Sequence, residues 1–553
     1  MKKHVVVLIV MLMLVLSSCT PATPAPAPTA TPIPTAVTVA PLMGLPQGTD
    51  GYTWWNDTVF YEIFVRSFYD SNGDGIGDFN GITQKLDYLQ GMGVTGLWLM
   101  PIYPSPTYHG YDATDYYSVN PEYGTMDDFK NLLNEAHKRG IRVIDDLVLD
   151  YTSSQNPWYL DALDPNSAHH DWYIWSATDP GYPGPWGEQV WFPAGGEYFY
   201  ALWGTSNPNL NYKNPATTTE MDKVATYWLK NVGVDGFRLD AIMYLIQDGT
   251  NQVNTDATHA WLEQFRTTFK AANPNAMMVG ELAGQNAGVM ASYTQGDQLD
   301  LSFDFGLARA FVSSAKSGNA GNANGQMRLS YNLVKPLQFA PFLTNHDDDR
   351  LMTQLENDNN KSKVAASLLL TAPGVPFIYY GEELGLQGSG SDPMKRRPMQ
   401  WSTDPNGGFS TVSPWEQFGP NWHTNNVALE STNPNSLLTW YQTLIHTRND
   451  HAALRVGDVN VLTTLSSGLY SILRISKGEA VLVLVNLTNT LISQYSLTIS
   501  KSALAAGTYS VLPILGSGTF ADLTASATGG FLKYVPLAEV PAYGTLILQL
   551  HLK

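Results

Sequence analysis

Short runs of hydrophobic residues alternate with longer amphipathic stretches over most of the chain. Eight runs have the length and the β-branched or aromatic content of buried strands: Val59–Val65, Val94–Met100, Arg142–Leu149, Gly236–Asp240, Met277–Glu281, Leu299–Phe305, Ala340–Asn345 and Val375–Tyr380. Helical spacing lies between them, as in Thr125–Arg139, Thr218–Asn231, Thr258–Ala272 and Lys361–Leu370. Strands that alternate with helices form parallel sheets, so the pattern predicts an α/β fold, a closed (β/α)8 TIM barrel.

Two parts of the chain depart from this alternation. Residues 152–213, after the third strand, are too many for a bare loop and are rich in Trp, Tyr, Pro and Gly, which predicts a small inserted domain. From residue 456 onward, short β-rich segments predict a separate antiparallel β domain. The barrel is therefore expected over residues 51–455 and the C-terminal β domain over residues 456–553.

The N-terminal region has the composition of an exported protein. Met1-Lys2-Lys3 and the apolar run Val5–Leu16 are typical of a signal peptide, and this run is short for a membrane span. Residues 1–19 end at Cys19 as in a bacterial lipoprotein signal, which predicts lipid attachment there, with an ordinary signal peptide as the alternative. Cys19 is the only cysteine, so the chain has no internal disulfide. Residues 20–50, rich in Pro, Ala and Thr, predict an extended linker.

The charge balance restricts the class of partner. The net charge is −18, the sequence pI is about 4.9, and no basic stripe is present. Nucleic acids are excluded as partners because their phosphates require clustered Lys and Arg. Aromatic residues make up 12 % of the chain, and their flat faces suit sugar rings as well as a protein core. A neutral partner is therefore favoured.

The stretch Asp70–Asp78 carries oxygen side chains at alternate positions between glycines. Its candidate calcium ligands are Asp70, Asn72, Asp74, the carbonyl of Ile76, and Asp78. An EF-hand also requires a glutamate at the twelfth position, which is glycine here, so a regulatory EF-hand is disfavoured. A solvated turn is the simpler alternative. We expect a calcium site of another class.

Three acidic residues stand at the ends of predicted strands. Asp240 ends the segment GFRLD, Glu281 ends VGE, and Asp347 ends TNHD. Taken singly, each is as well explained as a helix cap or a surface group. Because the carboxyl ends of barrel strands meet at one mouth, we expect the three carboxylates to converge.

These segments, together with the strand segment Asp146–Leu149, resemble the signature regions of the α-amylase family of glycoside hydrolases (family 13). The likeness extends from about Trp54 to Trp401 and includes features of the intermediate group between endo α-amylases and oligo-1,6-glucosidases. The resemblance implies a catalytic barrel, an inserted domain after the third strand, a C-terminal β-sandwich, and cleavage of α-glucosidic bonds with retention of configuration. It also implies that the calcium is structural.

The resemblance assigns roles to the acidic residues. It implies Asp240 as nucleophile, Glu281 as general acid and base, and Asp347 as a carboxylate that orients sugar hydroxyls; a retaining mechanism needs the first two about 5 to 5.5 Å apart. Arg238 lies on the same strand face as Asp240, where its charge should keep the nucleophile ionised. Burial and nearby carboxylates should raise the pKa of Glu281. His346 is expected to bind sugar hydroxyls, with simple packing as the alternative.

Further substrate contacts are implied near the third strand and beyond the eighth. Tyr111 resembles the family residue that stacks on the cleaved glucose. Asp112 and Arg396 resemble the pair that clamps the non-reducing end in exo-acting α-glucosidases, yet the surrounding sequence also resembles an endo-acting group, so both stay open. Asp150 and Tyr151 stand where the family usually has Asn-His. Tyr151 is still expected to contact the sugar, and Asp150 keeps an oxygen for a second calcium.

Three functions are open on this evidence. The first is an α-amylase acting on starch or malto-oligosaccharides, the second an exo-acting α-glucosidase or glucosyl-transferring relative, and the third a glucan-binding lipoprotein without catalysis. The complete acidic trio favours an enzyme. We expect a monomer with structural calcium, attached through its lipid anchor alone to the extracellular face of a bacterial membrane.

Overall fold

The structure is a computed structural model that describes residues 44–335 and 337–553. The predicted signal peptide, Cys19 and most of the predicted linker lie outside the described residues. None of the helices in these two ranges is long and apolar enough to cross a membrane.

Strands and helices alternate from residue 60 to residue 379. The elements in chain order are β1 (Phe60–Ile63), α1 (Phe79–Met92), β2 (Gly96–Leu99), α2 (Met126–Lys138), β3 (Arg142–Leu147), α3 (Pro157–Ala162), β4 (Trp175–Ser176), β5 (Trp191–Ala194), β6 (Glu197–Tyr200), α4 (Pro215–Tyr227), β7 (Gly236–Leu239), α5 (Asp256–Ala272), β8 (Met277–Gly280), α6 (Ala287–Tyr293), β9 (Leu301–Phe303), α7 (Phe305–Ser317), α8 (Gly321–Leu333), β10 (Phe339–Ala340), α9 (Leu351–Gln354), α10 (Asn359–Thr371) and β11 (Phe377–Tyr379).

The remaining elements complete the fold. They are α11 (Asp392–Lys395), α12 (Val427–Glu430), α13 (Leu437–Asp450), α14 (Ala452–Val456), β12 (Asp458–Val461), β13 (Thr463–Thr464), β14 (Leu469–Ser476), β15 (Glu479–Asn486), β16 (Leu497–Lys501), β17 (Gly507–Leu515), β18 (Leu523–Ala525), β19 (Gly529–Tyr534) and β20 (Thr545–Leu552).

Eight parallel strands form the barrel, in the order β10-β9-β8-β7-β3-β2-β1-β11. The ring closes between its two end strands, because the amide of Val375 donates to the carbonyl of Phe339 at 3.0 Å and that of Phe377 to Pro341 at 2.9 Å. Phe60 and Phe377 stack inside the barrel with ring centroids 4.5 Å apart. The strands are buried on both faces, which explains their continuous hydrophobic sequence. The predicted TIM barrel is confirmed.

The seventh barrel strand is shorter than its sequence predicts. The prediction was Ala340–Asn345, whereas β10 ends at Ala340. Pro341 has no amide hydrogen to continue a ladder, so the strand stops there. The apolar residues that follow belong to the loop that carries His346 and Asp347 to the mouth of the barrel.

The insertion after β3 contains a small antiparallel sheet of order β4-β6-β5. Isolated β-bridges join Tyr151 to Asn209 and Tyr173 to Leu210, and the first of them ties the insertion to the end of β3. The C-terminal domain packs a six-stranded antiparallel sheet, β12-β14-β15-β20-β17-β18, with a three-stranded sheet, β13-β16-β19. The predicted inserted domain and C-terminal β-sandwich are therefore confirmed.

Candidate active site

Arg238, in β7, is buried and binds three carboxylates from neighbouring strands. Its Nη1 donates to Asp146 Oδ1 at 2.8 Å and to Asp240 Oδ1 at 2.6 Å, and its Nη2 donates to Glu281 Oε2 at 2.6 Å. Asp146 pairs with Arg238 in the register of β3 and β7, while Asp240 and Glu281 directly follow β7 and β8. The carboxyl groups of Asp240 and Glu281 therefore lie side by side, within the span of one guanidinium group.

The backbone turns sharply after Asp240. Ala241 has a φ of 42°, in the left-handed region that residues with a β-carbon rarely adopt. Its amide donates to Glu281 Oε2 at 3.1 Å, the same oxygen that accepts from Arg238. Unfavourable backbone conformations persist where the surrounding contacts hold them, often at functional sites. Here the turn gives Glu281 a second fixed donor.

Burial raises the pKa of both carboxyl groups. It raises the pKa of Glu281 to about 7, with Arg238 opposing and the charges of Asp240 and Asp347 adding to the rise. It raises the pKa of Asp240 to about 6, again against Arg238. The raised pKa predicted for Glu281 is confirmed. Arg238 favours the ionised form of Asp240, as expected, although the desolvation of this carboxyl outweighs the guanidinium charge, and Asp240 ionises at lower pH than Glu281.

Asp347 reaches the same site from the loop after β10. Arg396 Nη2 donates to Asp347 Oδ1 at 3.0 Å, and the Asp347 side chain remains 54 % exposed. Burial of this region opposes ionisation, but the neighbouring cations, with Arg396 in contact, hold the pKa of Asp347 below its ordinary value. Asp347 is therefore an ionised, solvent-accessible carboxylate.

His346 is held in a chain of neutral groups. Its Nδ1 lies 2.6 Å from Glu62 Oε1 and its Nε2 lies 2.7 Å from the hydroxyl of Tyr111, which also donates to Asp146 Oδ2 at 3.1 Å. Burial lowers the pKa of His346 to about 3 and raises the pKa of Glu62 well above its ordinary value. The close pair is therefore a neutral carboxylic acid donating to a neutral imidazole, with no net ion pair.

The side chain of Tyr151 faces the cavity, whereas that of Asp150 is buried against the inserted domain. The Tyr151 hydroxyl lies 3.5 Å from Asp240 Oδ2, which is long for a hydrogen bond, and its side chain lines the site. Asp150 is fully buried and accepts from Asn209 Nδ2 at 2.7 Å and from Trp203 Nε1 at 3.0 Å. Both Asp150 oxygens are thus bound by donors from the insertion, and burial raises the pKa of Asp150 to about 8.

Asp112 and Arg396 are not brought together. The Asp112 carboxylate is buried and accepts from the Ser105 hydroxyl at 2.5 Å. Arg396 instead binds Asp347 and lies 3.5 Å from Asp392 Oδ2. Within the described residues no ion pair or hydrogen bond joins the two, and Arg396 lines the cavity described below whereas Asp112 does not.

These side chains surround one cavity. Its volume is about 480 Å³, and its lining residues are His109, Tyr111, Tyr151, Trp203, Asn207, Asp240, Ala241, Glu281, His346, Asp347, Asp392 and Arg396. The predicted acidic trio therefore converges on a single space with aromatic and cationic walls. Asp112 and Arg238 lie outside the lining, and Arg238 acts on the cavity through the carboxylates it binds.

The loop Asp70–Asp78 is shaped by its own hydrogen bonds. Asp70 Oδ1, Asn72 Oδ1 and Asp74 Oδ1 each accept the amide two residues on, at 2.8 to 3.0 Å, and Asp78 caps α1. Asn72 Oδ1 and Asp74 Oδ1 each accept one hydrogen bond and keep a second lone pair, whereas both oxygens of Asp70 already accept two. Side-chain oxygens together with the Ile76 carbonyl are the donor type that calcium prefers. Across residues 44–335 and 337–553, no group of three or more His, Cys, Asp or Glu side chains is placed to hold a metal. Calcium therefore stays a prediction that rests on the donor chemistry of the loop.

Comparison with known families decides the class of protein. The family described as "Alpha amylase, catalytic domain" matches residues 62–457. The chain belongs to the α-amylase family. The match covers all eight barrel strands except the first two residues of β1, together with every residue of the acidic cluster.

Several α-amylase family members are similar over most of the chain. "Alpha-amylase 3" of Dictyoglomus thermophilum is 36 % identical over 451 residues, which cover 78 % of this chain and 85 % of that protein. A "Trehalose synthase/amylase TreS" of Mycolicibacterium smegmatis is 35 % identical over 469 residues, with coverages of 75 % and 78 %. The crystal structure of an α-amylase from H. orenii matches with a TM-score of 0.77 at 36 % identity, covering 89 % of this chain and 99 % of that one.

Three contacting residues carry no role in the sequence analysis. Asp146 appears there only as part of a strand segment, although a carboxylate one residue before the end of an apolar strand already points to a functional barrel face. Glu62 gives a similar signal, as an acid within the apolar strand β1. Trp203 gives none, because it reaches the site from the insertion through a contact that sequence spacing does not reveal.

The neutral pairing of Glu62 with His346 leads to a stability prediction. Glu62→Gln still donates to Nδ1 and should change the free energy of unfolding by no more than about 0.5 kcal/mol. Glu62→Leu leaves a buried imidazole nitrogen unpaired and should cost about 1 to 3 kcal/mol. Urea denaturation followed by tryptophan fluorescence measures both, with the exposed substitution Glu539→Gln as control. Equal losses from Gln and Leu would show that Glu62 is ionised and needed as a charge.

Proposed function

We propose that this protein is an α-amylase that cuts internal α-1,4-glucosidic bonds of starch or malto-oligosaccharides with retention of configuration. The observation that carries the proposal is the binding of Asp240 and Glu281 to one buried guanidinium at the cavity. A retaining glycosidase requires two carboxyl groups this close, one to attack and one to transfer protons. Glycosidase-type activity follows from the family, whereas the bond and the substrate are the proposal.

The first step breaks the glycosidic bond. An Asp240 carboxylate oxygen attacks the anomeric carbon while Glu281 gives its proton to the departing glycosidic oxygen. The products are a glycosyl-enzyme joined through Asp240 and a free sugar with a new hydroxyl group. The higher pKa of Glu281 suits the donor, and the lower pKa of Asp240 suits the attacking carboxylate.

The second step releases the glycosyl group. Glu281, now ionised, takes a proton from a water molecule whose oxygen attacks the same carbon. The bond to Asp240 breaks, the carboxylate is regenerated, and Glu281 is again protonated. Asp347 is placed to accept hydrogen bonds from sugar hydroxyls because it is ionised and exposed to the cavity. His346 and Tyr111, joined by a hydrogen bond of 2.7 Å, form a neutral part of the cavity wall.

Internal cleavage is supported by the arrangement around Arg396. An exo-acting enzyme needs groups that close the cleft at the non-reducing end, and the Asp112–Arg396 pair that would do so is not formed in the described residues. The amylase names of two relatives point the same way. The alternative is an exo-acting or glucosyl-transferring enzyme, favoured by the position of Arg396 on the cavity wall and by the name of the trehalose synthase relative.

Two maltoheptaosides test the mode of action. One is free and one is blocked at its non-reducing end, and product lengths are followed over time with a protein that starts near Leu45. We expect both to be cleaved, and Asp240→Asn to abolish cleavage of both while it retains the thermal stability of the parent. Cleavage of the free substrate alone would establish exo action. Binding without cleavage would favour the glucan-binding lipoprotein.

The two raised pKa values predict a bell-shaped pH dependence. Asp240 must be ionised to attack, so kcat/KM should rise through a pKa of about 6, and Glu281 must be protonated, so kcat/KM should fall through a pKa of about 7. The acid form of Glu281 persists to this pH because burial raises its pKa. Initial rates on maltoheptaose at low concentration from pH 4 to 9 measure both limbs. A fall centred near the ordinary pKa of a glutamate would contradict the assignment of Glu281.

We also propose that the loop Asp70–Asp78 binds structural calcium. A chelator should then lower the melting temperature, and Asp74→Ala should remove the response, because this exposed carboxylate is a candidate ligand whose one side-chain hydrogen bond among the described residues is to the amide of Ile76. Differential scanning fluorimetry measures both, with exposed Asp127→Ala as control. A melting temperature indifferent to chelator in the parent protein would restore the solvated-turn interpretation.

The extracellular location with a lipid anchor at Cys19 is part of the same proposal. Its support is the charged and apolar pattern of residues 1–16, the single cysteine, and the Pro-rich linker that follows. A polymer such as starch is too large to enter a cell intact, so its hydrolysis suits this location. A monomeric state is proposed with it.

A further inference from the structure

Two tryptophans at the edge of the cavity are more exposed than the others that the structure describes. Trp186 is 59 % exposed and Trp203 is 40 % exposed, and no other tryptophan in residues 44–335 and 337–553 reaches this exposure. Their ring centroids lie 5.4 Å apart. Folded proteins usually bury such large apolar rings, and adjacent exposed ones mark surfaces that bind a ligand.

Other side chains hold these rings in place. Tyr244 is buried and packs against both, with ring centroids 5.4 Å from Trp186 and 5.8 Å from Trp203. Trp203 Nε1 donates to the buried carboxyl of Asp150 at 3.0 Å, and Asn209 donates to the other oxygen of that carboxyl. Both exposed rings are therefore fixed from behind, and ligand binding would not have to pay their full ordering cost.

The rings continue the cavity on the side of the general acid. Trp203 lines the cavity, whereas Trp186 lies outside the lining, so the pair leads from the site toward solvent. Tyr244, which packs against both rings, is the last residue of the short helical turn Ile242–Tyr244. This turn directly follows Ala241, whose amide donates a hydrogen bond to Glu281, so the rings lie on the Glu281 side of the cavity. Glu281 protonates the departing oxygen in the proposed mechanism, so the departing sugar has to lie on this side.

We propose that Trp186 and Trp203 form a binding surface for a neutral glucose ring of the leaving group, with Asp150 and Tyr244 as positioning residues. The inference rests on the proposed function and names the residues that select its leaving group. A pyranose ring presents an apolar face of C–H groups, which packs on an indole face. The Asp150 carboxyl positions the surface by accepting hydrogen bonds from Trp203 and Asn209.

A comparison of two substrates distinguishes an effect on this surface from an effect on the rest of the site. Maltoheptaose places glucose rings on both sides of the cleaved bond, whereas α-maltotriosyl fluoride has a single fluorine atom as its leaving group. Trp186→Ala should lower kcat/KM for maltoheptaose about tenfold, mainly through KM, and change it less than twofold for the fluoride. Trp186→Phe should restore most of the loss.

Asp150→Asn tests the positioning role. The amide oxygen still accepts one hydrogen bond, but its NH2 group faces a donor, so Trp203 or Asn209 loses its partner. We expect KM for maltoheptaose to rise about threefold or more, with the fluoride again unaffected. A matched control is Trp422→Ala, because Trp422 packs against His423 and is not part of the cavity lining. The control should leave both substrates unchanged.

The outcomes are distinguishable. A selective loss on maltoheptaose in Trp186→Ala and Asp150→Asn supports the inference. Equal losses on both substrates would show a general disturbance of the site, and no loss on either would show that the rings do not touch the leaving group; each result overturns the inference. If the parent protein turned over neither substrate, the proposed function itself would be contradicted and the inference with it.

Discussion

The burial of Arg238 among three carboxylates is the constraint on which the site depends. A buried charge is stable only when it is paired, and the guanidinium group is paired by Asp146, Asp240 and Glu281 at 2.6 to 2.8 Å. One positive charge cannot balance three negative ones in a site with little water. Burial raises the pKa values of all three acids against the charge of Arg238, to about 6 for Asp146 and Asp240 and about 7 for Glu281, and repulsion from the neighbouring carboxylates adds to the rise. Burial and this repulsion together favour a proton on the cluster, which is what a general acid requires.

The barrel makes this cluster possible because parallel strands place successive ends side by side. β3, β7 and β8 are adjacent, so residues far apart in sequence meet around one side chain. Around His346, by contrast, the groups in contact are uncharged, because His346 forms a hydrogen-bonded chain with the neutral side chains of Glu62 and Tyr111. The site thus combines a charged cluster for proton transfer and attack with a neutral region suited to sugar hydroxyls. The exposed carboxylate of Asp347 lies beside both.

Features that depend on local pattern were predictable from the sequence, and features that depend on side-chain direction were not. The positions of Asp240 and Glu281 directly after their strands, and of Asp347 at the same mouth of the barrel, follow from hydrophobic runs and the geometry of a barrel. The seventh strand ends early, at Ala340, because Pro341 has no amide hydrogen to donate to a neighbouring strand. The position of Asp112, bound to Ser105 and outside the cavity lining, depends on the direction of its side chain, which the sequence pattern does not give. The rise in the pKa of Asp240 could not be predicted, because it depends on how deeply the carboxyl group is buried, and sequence spacing does not show this.

The most direct test of the central claim is to trap the glycosyl-enzyme. In Glu281→Gln, α-maltotriosyl fluoride should still react, because fluoride leaves without a proton, while the loss of the base should slow hydrolysis of the intermediate. Mass spectrometry of the digested protein should then show one maltotriosyl group on the peptide that contains Asp240, and no such group in the double variant with Asp240→Asn. Attachment at another residue, or release of the inverted anomer without any adduct, would contradict the account.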